Sequence, residues 1–162
     1  MRSALINMVP ALMITLVAAG CVKKEKPINR EAEIAEISKV IDSGIGWFKN
    51  KDFNTLFSVV THDSDYISVH PGNRVIRGFR QFEKNAEIFK RPEFRYVRHE
   101  IKDLIVTLSN SGDVAWWYCV LDDINSWDGQ PANWENTRWT GVLEKRNDHW
   151  VIVQQHFSFA AE

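Results

Sequence analysis

Four long stretches in the second half of the chain constrain its fold more than any other feature. "FRYVRHEIKDLIVTLS", "DVAWWYCVLDD", "NWENTRWTGVLEKR" and "HWVIVQQHFSF" are dense in β-branched and aromatic residues, which suit a pleated, half-buried surface. They are separated by "NSGD", "NSWDGQPA" and "ND", whose Gly, Asn, Asp and Pro supply turn conformations. The chain therefore ends in a run of antiparallel strands.

The preceding half reads differently. From about Arg30, Ile34, Ile37, Val40, Ile41, Ile45 and Phe48 recur at three- and four-residue steps, the stripe of an amphipathic helix. Asp52 stands at an N-cap position ahead of a short helix "FNTLFSVV". "DYISVH" and "RVIRG" flank the turn "PGN" as two short strands. "FRQFEKNAEIF" gives a third helix with Phe79, Phe82, Ala86 and Phe89 on one side, closed off by Pro92. Helices first and strands later make an α+β domain, with helices packed on one face of the sheet.

Sidedness follows from the last hairpin. A two-residue loop at Asn147-Asp148 would oppose Trp139 to His156 and mix polar with apolar groups on both faces. A three-residue loop, Asn147 to His149, opposes Trp139 to Phe157, Leu143 to Val153 and Gly141 to Gln155. It also pairs Thr140 with His156 and Arg138 with Ser158, so the faces separate. The expectation is a three-residue loop, with Trp139, Leu143, Val153 and Phe157 facing the helices. Arg138, Thr140, Gln154, His156 and Ser158 then form a polar patch on the opposite face. Alternation adds Trp116 and Tyr118 to that outer face, together with Trp150. So large an apolar area there points to a partner subunit, most simply a homodimer.

The first twenty residues stand apart. "MRSALINMVPALMITLVAAGC" has a basic start, an apolar stretch and small residues before Cys21, which reads as a secretory leader rather than a membrane span. "VAAG" directly before the cysteine resembles the lipobox of bacterial lipoproteins, with Ala18 where that motif favours Leu. The resemblance implies that residues 1–20 are removed and that Cys21 carries acyl chains as a lipid anchor. Each buried methylene would contribute about 0.8 kcal/mol to membrane binding. Residues 21–30, "CVKKEKPINR", read as a solvated tether, and residues 31–162 as the domain. The expected location is the cell envelope, and Val22 after the cysteine implies the outer membrane where there are two. Cys119 is then the one remaining thiol, so no intrachain disulfide is available.

A formal net charge of -1 excludes a nucleic-acid groove, which needs clustered Lys and Arg. His62, His70, His99, His149 and His156 lack the short spacings of a zinc site; no metal and no cofactor are expected. Asp122, Asp123 and Asp128 read as a solvated acidic loop.

The order of these elements, with "GWFKNKDFNTLFSVV" early, "VIRGF" in the middle and "GDVAWW … TRWTGVLEKRNDHWVIVQQHFS" at the end, resembles a SnoaL-like domain. That family lies within the nuclear transport factor 2-like and ketosteroid isomerase-like superfamily. The resemblance implies a cone: a curved antiparallel sheet around about three N-terminal helices, with a pocket between them and a dimer interface on the convex face. In the related kinase association domain arginines line the pocket. Those positions are Leu121, Gly141 and Phe157 here, so an anion site does not carry over.

Phe82, Phe89, Trp117, Cys119, Leu121, Trp139 and Phe157, with Tyr66 and His70 near the mouth, either line a cavity for a small apolar ligand or fill a core. The fold does not fix function. One reading is a ligand-binding or dimeric assembly module; the alternative is an enzyme of isomerase, dehydratase or cyclase type. What separates them is an ionisable group inside the cone with a shifted pKa. His156 with Ser158 makes no Ser–His couple, because no carboxylate is placed behind the imidazole.

Overall fold

The computed structural model describes residues 27–160. The leader, Cys21 and most of the tether lie outside the described residues. The first helix, α1 (Arg30–Gly46), starts where the Asn29 side chain accepts the Ala32 N–H at 3.2 Å. Its stripe buries Ile37 and Ile41 completely. A short 3-10 turn, Trp47–Lys49, leads to α2 (Phe53–Ser58). Asp52 caps α2 as expected, accepting from the Thr55 backbone N–H at 3.1 Å and its hydroxyl at 2.7 Å. The small strands β1 (Ile67–Val69) and β2 (Val75–Arg77) precede α3 (Phe79–Ala86) and a second 3-10 turn at Glu87–Lys90. No described helix is long and apolar enough to cross a membrane.

The long strands are β3 (Phe94–Leu108), β4 (Val114–Trp127), β6 (Trp134–Arg146) and β7 (His149–Ser158), with β5 (Gln130–Pro131) a short return on β4. They form one sheet in the order β2-β1-β7-β6-β4-β3. All pairings are antiparallel except β1 with β7, which run parallel. The sheet curls into a half-barrel around the helices, the α+β cone. Its bends have local causes. Register shifts fall between Tyr96 and Arg98, between Lys102 and Ile105, and between Leu121 and Asp123. Asp103 and Asn136 take positive φ at 53° and 50° beside two of these shifts. Such bulges add twist and fold a sheet over its own face.

The terminal hairpin combines the two registers weighed from sequence. Its loop has two residues, Asn147 and Asp148, with φ of 51° and 62°, the mirror-image turn that Asn and Asp tolerate. Arg146 faces His149 and Leu143 faces Ile152. A bulge between Val142 and Leu143 then adds one residue on β7, so that Thr140 faces His156, Trp139 faces Phe157 and Arg138 faces Ser158. The expected three-residue loop is therefore corrected, although the pairs it gave from Val142 onwards hold. Three further corrections follow. Ile152, not Val153, packs opposite Leu143, and Trp150 points inward and is buried. Asp122 and Asp123 belong to β4 rather than to a loop.

Candidate functional site

The inner face of β4 carries Ala115, Trp117, Cys119 and Leu121, all buried, and the same alternation continues to Asp123 and Asn125. From Leu121 onwards the face turns from apolar to polar. Asn125 is 5% exposed, and Thr137, opposite Leu121 on β6, is fully buried. Asp123 Oδ1, Asn125 Oδ1 and Thr137 Oγ1 are buried and have no hydrogen-bond partner in the chain. Each orphaned group costs about 1–3 kcal/mol, so three of them on one stretch of sheet mark a place completed by water or a ligand. Burial pushes the Asp123 carboxyl above the usual carboxylate range, partly offset by a hydrogen bond with Asn125 and by the charge of His99.

His99 stands opposite Asp123 across the β3–β4 ladder. The bulge after Tyr96 brings Tyr96 and His99 to the same face. Tyr96 OH accepts the His99 backbone N–H at 3.1 Å and lies 3.0 Å from His99 Nδ1. His99 Nε2 lies 3.3 Å from Asp42 Oδ1 on α1. Asp42 only accepts, so Nε2 carries a proton, and in that tautomer of the uncharged ring Nδ1 accepts from the Tyr96 hydroxyl. Helix, strand and carboxylate thus orient one imidazole next to a buried acid, the arrangement proton transfer requires.

The aromatic candidates from sequence fall into two groups. Trp139 stacks on Phe157 at 5.4 Å and 11°, and Trp117 meets Trp139 edge-on at 5.4 Å. His70 lies against Phe157 and Trp134 at 5.4 and 5.7 Å, and Trp134 is itself the strand partner of Asp123. Tyr66, Cys119 and Leu121 join the same core. Phe82 reaches it through Tyr66 at 5.0 Å. Phe89 does not; it packs with Trp47, Phe48 and Phe94 in a second cluster under the helices. Burial pushes the Cys119 thiol up to about 12 and the Tyr66 phenol well above its usual value. Burial, aided by the nearby Arg74 charge, lowers His70 to about 4.

On the outer face Trp116 and Tyr118 are 48% and 39% exposed, beside partly exposed Thr140, Gln154, His156 and Ser158 and exposed Arg138. A separate open groove of about 940 Å³ runs between α1 and the β6–β7 turn. Several of its charges are paired: Glu33 accepts from Lys145 and from the Trp150 N–H, while Arg146 bridges Asp63 and Glu144. These pairs pin the hairpin to the helix. Among the described residues no group of three or more His, Cys, Asp or Glu side chains could hold a metal ion.

Sequence reasoning missed Asp42, Tyr96, His99, Asp123 and Asn125 as a group. The signal for Asp123 and Asn125 was present, since both continue the odd-numbered alternation of β4. Tyr96 and His99 carried none, because strict alternation sends residues three apart to opposite faces.

Several solved structures share the fold. A protein from Streptomyces avermitilis, provisionally named a dehydratase of the NTF2-like family, superposes with a TM-score of 0.70 at 20% identity, covering 82% of this chain and 99% of that one. One from Novosphingobium aromaticivorans, provisionally named a scytalone dehydratase, gives 0.69 at 12% identity over 82% and 87%. An NTF2-like protein of unknown function in nutrient uptake from Rhodospirillum rubrum gives 0.63 at 16% over 77% and 98%. At such identities the likeness shows the fold alone. No curated protein sequence matches. Residues 37–162, however, match the family model of the SnoaL-like domain, and the chain belongs to that family.

Proposed function

We propose that the cone is an acid–base site for a small, mostly apolar molecule, working by proton transfer of the isomerase or dehydratase type. The observation that carries this reading is Asp123: a carboxyl on the inner face, raised above its ordinary range, with one buried oxygen free of any partner. Facing it is His99, held by Tyr96 and Asp42. In this reading Asp123 takes or returns the substrate proton. Trp134, Trp139 and Phe157 supply an apolar wall.

The test uses 5-nitrobenzisoxazole, an aromatic probe that loses one carbon-bound proton to a base as its N–O bond breaks, giving a coloured phenolate. The wild-type chain is expected to accelerate this opening, with a rate that rises with pH as Asp123 ionises and then levels off. Asp123→Asn keeps the shape and removes the base, so the rate should fall about 10²-fold or more. Equal rates in the two proteins would overturn the assignment of Asp123.

The domain is proposed to work while held at the cell envelope by acylated Cys21, a reading supported by the lipobox-like "VAAG" before that cysteine. A second reading, assembly through the convex face, is favoured by one observation. Ile105, Trp116 and Tyr118, all exposed, are neighbours on β3 and β4 and adjoin Val142 and Thr140. A contiguous apolar area of this kind supports a homodimer. The two readings are compatible.

A further inference from the structure

A second hollow, of about 450 Å³, is bordered by His62, Asp63, Arg77, Gly78, Phe79 and Arg80. It shares no residue with the Asp123 site and lies where β2 hands over to α3. Gly78 makes that junction with φ 74° and ψ 152°, a conformation essentially confined to glycine. Two backbone bonds hold it. The Gly78 N–H donates to the Tyr66 carbonyl at 2.7 Å, and the Phe79 N–H to the Asp63 carbonyl at 2.9 Å. Arg77, at the end of the strand, and Arg80, in the first turn of the helix, thereby border the same space.

The polar groups of this hollow are one-sided. Both arginines are exposed, and among the described residues neither has a carboxylate within ion-pair reach. Asp63, the acid of the lining, is already engaged. Its Oδ2 accepts from Arg146 and from the Thr61 hydroxyl, and its Oδ1 accepts the Asp65 backbone N–H. Two guanidinium forks are left without an anion. The chain as a whole carries a formal net charge of -1, so this positive spot is local rather than part of a general basicity.

His62 supplies a flat wall. Its Nε2 lies 2.8 Å from the Phe57 carbonyl oxygen, which only accepts, so the ring donates there. The ring also stacks on Phe79 at 3.9 Å and 17°. His62 and Asp63 line the larger groove between α1 and the β6–β7 turn as well, together with Val59, Val60 and Trp150. The two spaces therefore adjoin, and the organic end of a ligand has an apolar surface to follow.

We infer that this hollow binds a phosphomonoester of an apolar or aromatic group, with Arg77 and Arg80 on the phosphate and His62 against the organic part. A phosphomonoester carries about -1.5 to -2 charge at neutral pH and three acceptor oxygens, enough for two forks. A carboxylate has one charge and two oxygens, which a single arginine satisfies. The inference goes beyond the acid–base reading and does not rest on it. A soluble ester and a lipid headgroup present the same group, and the test separates them.

Phenyl phosphate is titrated into the full chain carrying Cys21→Ser, labelled with ¹⁵N, and followed by amide chemical shifts. The Gly78 and Arg80 signals should move along a saturable curve. Arg77→Gln and Arg80→Gln should each weaken binding by about tenfold or more, the effect of one charge-assisted contact, and together should abolish it. Neither side chain is bonded elsewhere in the fold, so both variants should keep the wild-type melting temperature. Arg77→Lys keeps the charge without the fork and should fall between. Benzoate should bind about tenfold more weakly than phenyl phosphate. Equal affinity for benzoate overturns the phosphomonoester assignment, and shifts that survive the double substitution overturn the site.

Phosphatidylcholine vesicles containing phosphatidic acid supply the second arm. Vesicle binding that needs Arg77 and Arg80, with none of phenyl phosphate, supports the site and makes a lipid headgroup its ligand. Binding of neither the vesicles nor phenyl phosphate at about 10 mM overturns the inference. Asp123→Asn should bind phenyl phosphate as the unsubstituted site does, so failure of the acid–base reading and failure of this one are told apart.

Discussion

Gly141→Ala tests the packing beneath the candidate site. A Cβ built at Gly141 would stand 2.1 Å from Trp117 Cη2, 2.5 Å from Trp117 Cζ3 and 2.4 Å from the Gln154 carbonyl oxygen. Neither neighbour can step aside. The carbonyl belongs to the β6–β7 ladder, where Val142 faces Gln154. The Trp117 ring is buried and wedged edge-on against Trp139. Overpacking of this kind costs about 1–3 kcal/mol, and the backbone clash places it at the upper end. Removing a glycine from a strand returns roughly 0.5–1 kcal/mol. The net loss should be about 2 kcal/mol, or a fall in Tm of roughly 8 °C for a domain of this size. Urea unfolding followed by tryptophan fluorescence reads it as a lower midpoint with an unchanged slope. Trp117→Leu in the same chain should recover part of the loss, since the two sites share one contact. Gly129→Ala is the control. Nothing lies within 4 Å of its Cβ position, but its φ is +76°, so it should lose about 1–2 kcal/mol from backbone geometry alone and gain nothing from Trp117→Leu. A Gly141→Ala protein within about 0.5 kcal/mol of wild type would refute the account.

Further outcomes are expected from other parts of the chain. The Arg146 guanidinium holds Asp63 well below its usual range, from 3.8 to about 2. The ion pair's stabilisation is therefore complete above about pH 4 and disappears as pH falls towards 2. Both partners are about a third exposed, so solvent screening limits it to roughly 1 kcal/mol or less, and Asp63→Asn should flatten acid unfolding by that amount. Cys21→Ser should move the protein from the membrane to the soluble fraction; unchanged fractionation would count against the anchor. Trp116→Glu with Tyr118→Glu should convert a dimer to a monomer in native mass spectrometry, and a wild-type monomer would retire the assembly reading.

How much of this was legible in the sequence depends on where the strands keep their period. Helix caps, the order of elements and the pairs from Arg138–Ser158 to Val142–Gln154 follow from turn chemistry and alternation, which are local. The failures cluster at bulges. One extra residue on β7 allows a two-residue turn and the three-residue register to coexist, a combination no single pairing rule offers. One extra residue after Tyr96 turns it and His99 to the same side. On β6 the positive φ of Asn136 lets Trp134 and Thr137 both face inward. The β3 irregularity brings the imidazole to the inner face, where a strict period-two strand would have placed it outside.

The bulges are therefore part of how the site is built rather than noise on a regular sheet. A sheet that alternates without interruption can bury one continuous apolar face or expose one polar face. It cannot place an imidazole, a phenol and an acid over a tryptophan floor. Changing parity within a strand costs a ladder hydrogen bond and an unpaired residue, and that loss is tolerated where a mixed surface is needed. Asp123 differs from its neighbours in this respect. It faces inward by ordinary alternation from Leu121, with no bulge of β3 required, and keeps one oxygen without a partner although Lys102 and the Asn136 N–H both bond the adjacent Asp122. Two acids side by side in the sequence thus have opposite fates. Asp122, 9% exposed, has both oxygens bonded by protein groups, whereas Asp123 keeps one buried oxygen open, the state expected of a group whose partner is a ligand rather than the protein.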